Sequence, residues 1–312
     1  MPDISIVICT LRRPQQLKEA VLSCLSLRLQ ENYEVEIIVV DNSPEAAVAD
    51  LVRMLAAETA ATIRYVHERH TSIAYARNAG IAASHSPFIA FVDDDMRLPP
   101  LWLSHVMRTM IETDADALIG AVEPIPEHSA QFSDARLLDF YRRDLRQPEG
   151  TLITGRRSGH IPGAGTGNSV FRRATVSTYS QPFDPAFGDG GEDTDFFFRL
   201  GRRKVKVVWS TQSLAYEVVS PRRATLSFVA HRTFRGSQSY ARALIKNSRR
   251  RLLTALILTG IGAVQGIWHS AYYAVLLLVR SEAAEYTRLS AARGFGKIPW
   301  IPCRSSWWGM SR

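Results

Sequence analysis

Four short apolar runs, each followed by a segment of helical spacing, fill the first 113 residues and constrain the fold of this 312-residue chain more than any other feature. Ile4-Ser-Ile-Val-Ile-Cys9 is β-branched and too short for a helix, so it predicts a buried strand. Pro14 to Leu29 spaces Leu17, Val21 and Leu25 one turn apart, with Pro14 in the first turn, where its missing N–H is no loss. Val35–Val40, Thr62–Val66 and Pro87–Val92 predict three more strands. Ala46–Leu55, Ser72–Ser84 and Leu101–Thr113 predict three more helices. This alternation makes a doubly wound, mostly parallel α/β sheet. Ligands of such sheets bind outside the carboxyl ends of the strands. Thr10 to Arg13, Asp41-Asn42-Ser43 and Asp93-Asp94-Asp95 stand at those ends.

Charge divides the chain in two. Residues 1–195 hold 18 Lys/Arg against 27 Asp/Glu, whereas residues 196–312 hold 20 against 3. An acidic front and a strongly basic back suit a back half that faces an anionic surface: nucleic acid, anionic lipid or a phosphorylated substrate. Cys9, Cys24 and Cys303 are odd in number and form no CxxC pair, which argues against a zinc site or a disulfide framework and for reduced thiols. The apolar run at the N-terminus is six residues long, too short for a signal peptide, so the front half is expected in the cytoplasm.

Leu252 to Val279 contains no Asp, Glu, Lys or Arg over 28 residues, with Arg249-Arg250-Arg251 before it and Arg280 after it. That length exceeds the roughly 20 apolar residues a bilayer span needs. A single crossing would carry Arg280, Arg288, Arg293, Lys297, Arg304 and Arg312 to the far side, against the positive-inside tendency. An interfacial or re-entrant helical hairpin, bent near Gly260–Gly266, satisfies both constraints. A pair of buried helices is the alternative, since Thr254, Thr259, Gln265 and His269 dilute the run. The expected division is therefore a domain over 1–222, a basic helical segment over 223–251 and an apolar extension over 252–312.

Three adjacent carboxylates at 93–95 repel one another and call for a compensating cation. Mg²⁺ or Mn²⁺, with oxygen ligands and a bridging phosphate, suits them; a solvated acidic turn leading into Pro99-Pro100 is the other reading. Asp41-Asn42-Ser43 is also ordinary turn chemistry. Arg77, in the third helix, is placed to reach a phosphate or a nucleotide carbonyl, or to be a surface charge. Gly163-Ala-Gly165-Thr-Gly167-Asn168 does not open a βαβ unit, so a substrate-lining loop is expected and a dinucleotide fingerprint is not. Glu192 and Asp193 precede a helical run, where acids serve as caps or as a general base. Arg232 and Arg235 lie one turn apart, as a diphosphate clamp or a lipid-facing surface requires.

In order and spacing, Ser5-Ile-Val-Ile-Cys-Thr10, Val39-Val-Asp-Asn-Ser43, Ala76-Arg-Asn-Ala-Gly80, Phe91-Val-Asp-Asp-Asp95 and Gly191-Glu-Asp193 resemble the inverting glycosyltransferases of family 2, over roughly Ile4 to Arg242. The basic, apolar tail is similar to the members that build bacterial exopolysaccharide. The resemblance implies a GT-A fold and a nucleotide-sugar donor, most simply a UDP-sugar. Thr10, Arg12, Asp41, Arg77, Asp93 and Asp94 would bind that donor. Asp95, with Asp93, would hold the metal. Asp193, beside Glu192, would be the base. Asn168, Arg232 and Arg235 would meet the acceptor or the diphosphate. The QxxRW signature of processive members is absent, and His231-Arg232-Thr-Phe-Arg-Gly236 stands near its place, so one sugar is expected per reaction and His231 becomes a candidate metal ligand. The expected partners are a saccharide acceptor linked to polyprenyl diphosphate and the cytoplasmic face of the inner membrane, with nucleic acid excluded. A sugar nucleotidyltransferase would share the sheet, but Thr10-Leu-Arg-Arg13 lacks the glycines such enzymes carry after the first strand. A basic membrane- or nucleic-acid-binding module without catalysis leaves the aspartates unexplained.

Overall fold

A computed structural model describes residues 1–28, 33–127, 134–153, 155, 159–187, 190–279 and 283–301. The chain separates into two compact units, Met1–Ile125 with Tyr141–Val218, and Pro126–Phe140 with the chain from Val219 onward.

The first unit opens as the hydrophobic periodicity requires. Strand β1 (Ile4–Thr10), helix α1 (Pro14–Leu25), β2 (Val35–Asp41), α2 (Ala49–Ala57), β3 (Thr62–His67), α3 (Ile73–Ala83) and β4 (Phe88–Phe91) follow in turn. Then come β5 (Met96–Arg97), α4 (Trp102–Glu112), β6 (Ala117–Pro126), β7 (Ser169–Arg172), α5 (Arg173–Val176), α6 (Glu192–Arg202) and β8 (Val207–Val219). The sheet order is β3-β2-β1-β4-β7-β6-β8-β5. Strands β3, β2, β1 and β4 pair in parallel, as expected. β7 then pairs antiparallel with β4 and β6, and β5 antiparallel with β8, so a mixed half extends the parallel one. Alternate side chains go to opposite faces of the sheet. Ile4, Ile6, Ile8, Ile37 and Val39 enter one core with α1, α2 and α4. Val7, Ile38 and Val40 enter the other with α3 and α6.

The second helix starts three residues later than the spacing predicts. Ala46 has φ 58°, and the Asp41 carboxylate accepts the Val48 N–H at 3.0 Å, so a turn closes there before the helix begins.

In the second unit, α7 (Leu226–Lys246), α8 (Arg251–Leu278) and α9 (Ala283–Gly296) pack together. The excursion Pro126–Phe140 joins them: Glu127 N–H donates to Val219 O at 3.0 Å, and the Tyr286 hydroxyl donates to Asp134. Helix α8 is one continuous helix of 28 residues, not a hairpin. Gly262 and Gly266 serve packing, not bending. A methyl group on Gly262 would come 2.7 Å from the Gly294 carbonyl, and one on Gly266 would come 2.6 Å from the Phe295 ring. Ala255, Leu258, Gly262 and Gly266 form its buried stripe, while Leu256, Ile261, Val264, Ile267, Trp268 and Val275 are at least half exposed. Among the described residues it is the one helix long and apolar enough to cross a membrane.

Candidate active site

The ends of β1, β2 and β4 lie side by side at the carboxyl edge of the parallel strands, with Thr10 opposite Asp41 in register. Beyond β4 the chain turns sharply: Met96 N–H donates to Asp93 O at 3.0 Å, and β5 then joins β8. Val218 N–H also donates to Asp95 O at 2.8 Å. The turn therefore carries three carboxylates in fixed but different surroundings.

Asp94 is buried. Its Oδ2 accepts from Thr10 Oγ1 at 2.8 Å and its Oδ1 from Arg13 Nη1 at 3.1 Å. Burial nevertheless pushes its pKa up to about 6, with Arg13 and Thr10 opposing and Asp95 adding to the rise. Asp95, 13% exposed, lies 3.6 Å from the same Arg13 nitrogen. Asp93 is the open one, with a side chain 44% exposed. The surrounding walls desolvate it and raise its pKa; Arg77 opposes that rise, and Asp95 and Asp193 add to it.

Across the cleft, Gly191 takes φ 99° as the N-cap of α6, a conformation natural to glycine. Glu192 and Asp193 follow at once in the first turn, where the helix dipole favours acids. Asp193 Oδ1 accepts from Thr194 N–H at 2.6 Å, and a methyl group on Gly165 would lie 3.9 Å from Asp193 Oδ2. Glu192 is 2% exposed. Its Oε1 accepts from Arg77 Nη1, while Oε2 is buried with no hydrogen-bond partner among the described residues. Burial pushes Glu192 up to about 7, Arg77 opposing and Asp193 adding. Arg77 Nη2 lies 3.6 Å from Asp93 Oδ1. Burial works against the Arg77 charge, but the carboxylates of Glu192, Asp93 and Asp193 outweigh it and hold the guanidinium protonated. The predicted residues Thr10, Arg77, Asp93, Asp94, Asp95, Glu192 and Asp193 are thus gathered in one place.

The other predicted residues either have their side chains engaged by the fold at the edge of this cluster or lie outside it. Asp41 is fully buried, and its oxygens accept from Ser43 N–H and Oγ, Val48 N–H and the Tyr65 hydroxyl, so the fold occupies it. Asn168 is also fully buried. Its Oδ1 accepts from Trp102 Nε1, and its Nδ2 donates to Ala121 O and Ser213 O, which places the amide inside the fold and off the cleft surface. Arg12, with φ 55°, turns outward onto Glu45. His231, Arg232 and Arg235 all lie on α7 of the second unit. Burial, with Arg235 adding, lowers the pKa of His231.

Three residues of the site have no role in the reading by motif. Arg13, next to the predicted Arg12, makes the ion pairs. Arg143 donates to the carbonyls of Gly120, Gly165, Gly167 and Asn168 and braces the glycine loop against the acids. A methyl group on Gly167 would run into Asp93 Oδ2, so only glycine lets the loop come so close. Cys9 lies beside Arg77, and burial pushes its thiol up to about 12, which keeps it protonated and unreactive. No local pattern marks Arg143, about 50 residues from either acidic pair; the position of Arg13 just after a strand is the only signal for it.

Among the described residues no three His, Cys, Asp or Glu side chains form a closed metal cage. An open pair of acids fits Mg²⁺ or Mn²⁺ better than a cage does, because such ions keep positions for water and substrate phosphates. Asp93 and Asp95 supply hard oxygen donors of that kind, one of them open to the cleft.

Residues 5–179 match the family model described as Glycosyl transferase family 2. The succinoglycan biosynthesis protein ExoM of Rhizobium meliloti is 32% identical over 248 residues, covering 78% of this chain and 76% of ExoM. The hyaluronan synthase of Pasteurella multocida is 26% identical over 64% of this chain, which spans 23% of that enzyme. In fold, the chain resembles residues 1–349 of S. aureus TarS, with TM-score 0.56, 13% identity and coverage of 96% of this chain and 90% of that one. It spans 55% of the longer TarS structure.

Proposed function

Because the chain belongs to glycosyl transferase family 2, we propose that it moves one sugar, with inversion, from a UDP-sugar to a hydroxyl of a saccharide acceptor in exopolysaccharide or cell-surface glycan synthesis. The observation that carries this reading is the meeting of two acidic segments, 93–95 and 192–193, at the carboxyl edge of the parallel strands. One is suited to a donor's charged end and the other to an acceptor hydroxyl. TarS has been crystallised with UDP and with UDP-GlcNAc, which supports the choice of nucleotide.

In this reading Asp193 accepts the proton of the acceptor hydroxyl. The acceptor oxygen bonds to the anomeric carbon from the face opposite the nucleotide. The bond from that carbon to the diphosphate oxygen breaks, and the nucleoside diphosphate departs with the electron pair. Mg²⁺ or Mn²⁺, held by Asp95 and Asp93, supplies charge neutralisation for the diphosphate. Thr10, Asp94 and Arg13 hold the end of β1 against the acidic turn.

The exposed apolar face of α8, with Arg249, Arg250 and Arg251 at its N-terminal end, supports docking on an anionic membrane surface. One stripe of α8 packs on its own unit, so the helix is assigned to lie in the plane of the interface. The acceptor is assigned as a polyprenyl-diphosphate-linked saccharide at the cytoplasmic face.

A thermal-shift panel of UDP-, GDP- and dTDP-sugars, with and without Mn²⁺, tests the donor reading. Metal-dependent stabilisation by a UDP-sugar is expected; no shift with any of them overturns it.

A further inference from the structure

Arg77 is expected to reach a nucleotide, yet the residue is 7% exposed and its guanidinium is turned to two carboxylates. One nitrogen donates to Glu192, at the first turn of α6, and the other faces Asp93, just past β4. Its flat face lies over the Phe183 ring, with 5.6 Å between the guanidinium carbon and the centroid. The neighbouring Asn78 takes both ends of its amide to the backbone of Phe183, at 2.7 and 3.0 Å. Helix α3 is thereby tied to the segment that leads into α6.

We propose that Arg77 is a positioning residue: it joins Asp93 on the donor side to Glu192, the residue before the base Asp193, and so fixes how far the base stands from the donor. The inference rests on the glycosyl-transfer reading above and deepens it. A guanidinium presents its donors in a planar fork, which suits two carboxylates from different segments at once. Glu192 gives that fork one oxygen and has no second partner among the described residues, so Arg77 is its hold on the rest of the site. Removing the link leaves the Asp93 and Asp95 carboxylates on their turn but frees the first turn of α6 from its tie to Asp93. Small misplacements of a reacting group lower the rate far more than they lower binding.

The test compares Arg77→Gln, Arg77→Lys, Glu192→Gln and the double variant Arg77→Gln/Glu192→Gln with the wild-type chain. Transfer from a UDP-sugar is followed by UDP release, and binding of UDP with Mn²⁺ by calorimetry. Arg77→Gln is expected to lower kcat about 100-fold or more, with the Kd for UDP within about threefold of wild type. Arg77→Lys should recover part of kcat. The double variant should be no slower than Arg77→Gln, because the two side chains act as one link. It also removes both buried charges, and so it carries the test if Arg77→Gln does not fold. A UDP Kd that weakens in step with kcat/KM would show a phosphate grip and overturn the proposal, as would an unchanged kcat. A wild-type chain that releases UDP from no donor overturns the transfer reading itself, a result separate from either of these.

Discussion

Thr10 Oγ1 donates a 2.8 Å hydrogen bond to Asp94 Oδ2, joining the ends of β1 and β4 across 84 residues of sequence. The bond lowers the pKa of Asp94, yet burial dominates and leaves it at about 6. Between its ordinary value of 3.8 and about 6, the folded chain therefore holds a proton at Asp94 that the unfolded chain has released. Stability falls as pH rises through that window and stays lowered above it. Asp94→Asn removes the effect. In EDTA at pH 7 it should stabilise the chain by about 1–2 kcal/mol, part of the gain being lost with the Arg13 ion pair. Urea unfolding should show the gain shrinking toward zero near pH 4; a gain independent of pH would disprove the assignment.

Asp193→Asn should reduce transfer by a factor of about 10²–10⁴, the usual range for a general base. The Kd for UDP should hardly move. Full activity in this variant would place the base elsewhere.

Chelation should abolish transfer, and Mn²⁺ or Mg²⁺ should restore it. Asp95→Ala and Asp93→Ala should each raise the metal concentration that gives half-maximal rate at least tenfold. Activity that survives exhaustive dialysis against EDTA would remove the metal from the reading.

Asn168 links Trp102, Ala121 and Ser213, so it is a matter of stability first. Asn168→Ala strands buried polar groups and puts alanine at φ 55°, for an expected loss of about 2–4 kcal/mol. Urea unfolding measures it, and a loss below about 1 kcal/mol would be too small for three buried hydrogen bonds.

Leu256→Glu and Trp268→Glu lie on the exposed face of α8 and should weaken sedimentation with phosphatidylglycerol vesicles at least tenfold. Neither should alter the rate on a soluble acceptor. Binding unaffected by both substitutions would send the membrane contact to another surface.

Most of what the chain alone determined is local. Short β-branched and apolar runs placed β1 to β4, a period of about 3.6 placed α1, α3 and α4, and the residues after each strand marked the cleft. These signals are legible because burial of one face repeats at the pitch of the backbone. The family followed from the order of five short motifs, not from any one of them. What tertiary structure decided is which polar groups remain for chemistry. Asp41 and Asp93 follow strands alike in sequence, yet the first is consumed by Ser43, Val48 and Tyr65 and the second stands open to the cleft. Arg12 and Arg13 are neighbours, but only one reaches the acids. Arg143 joins the site from a stretch with no motif, and Pro126–Phe140 belongs to the second unit although the first surrounds it in sequence. Even Gly262 and Gly266 of α8, in a stretch that suggests a bend, let α9 pack close. Such outcomes turn on desolvation and on partners distant along the chain, and periodicity carries no trace of either.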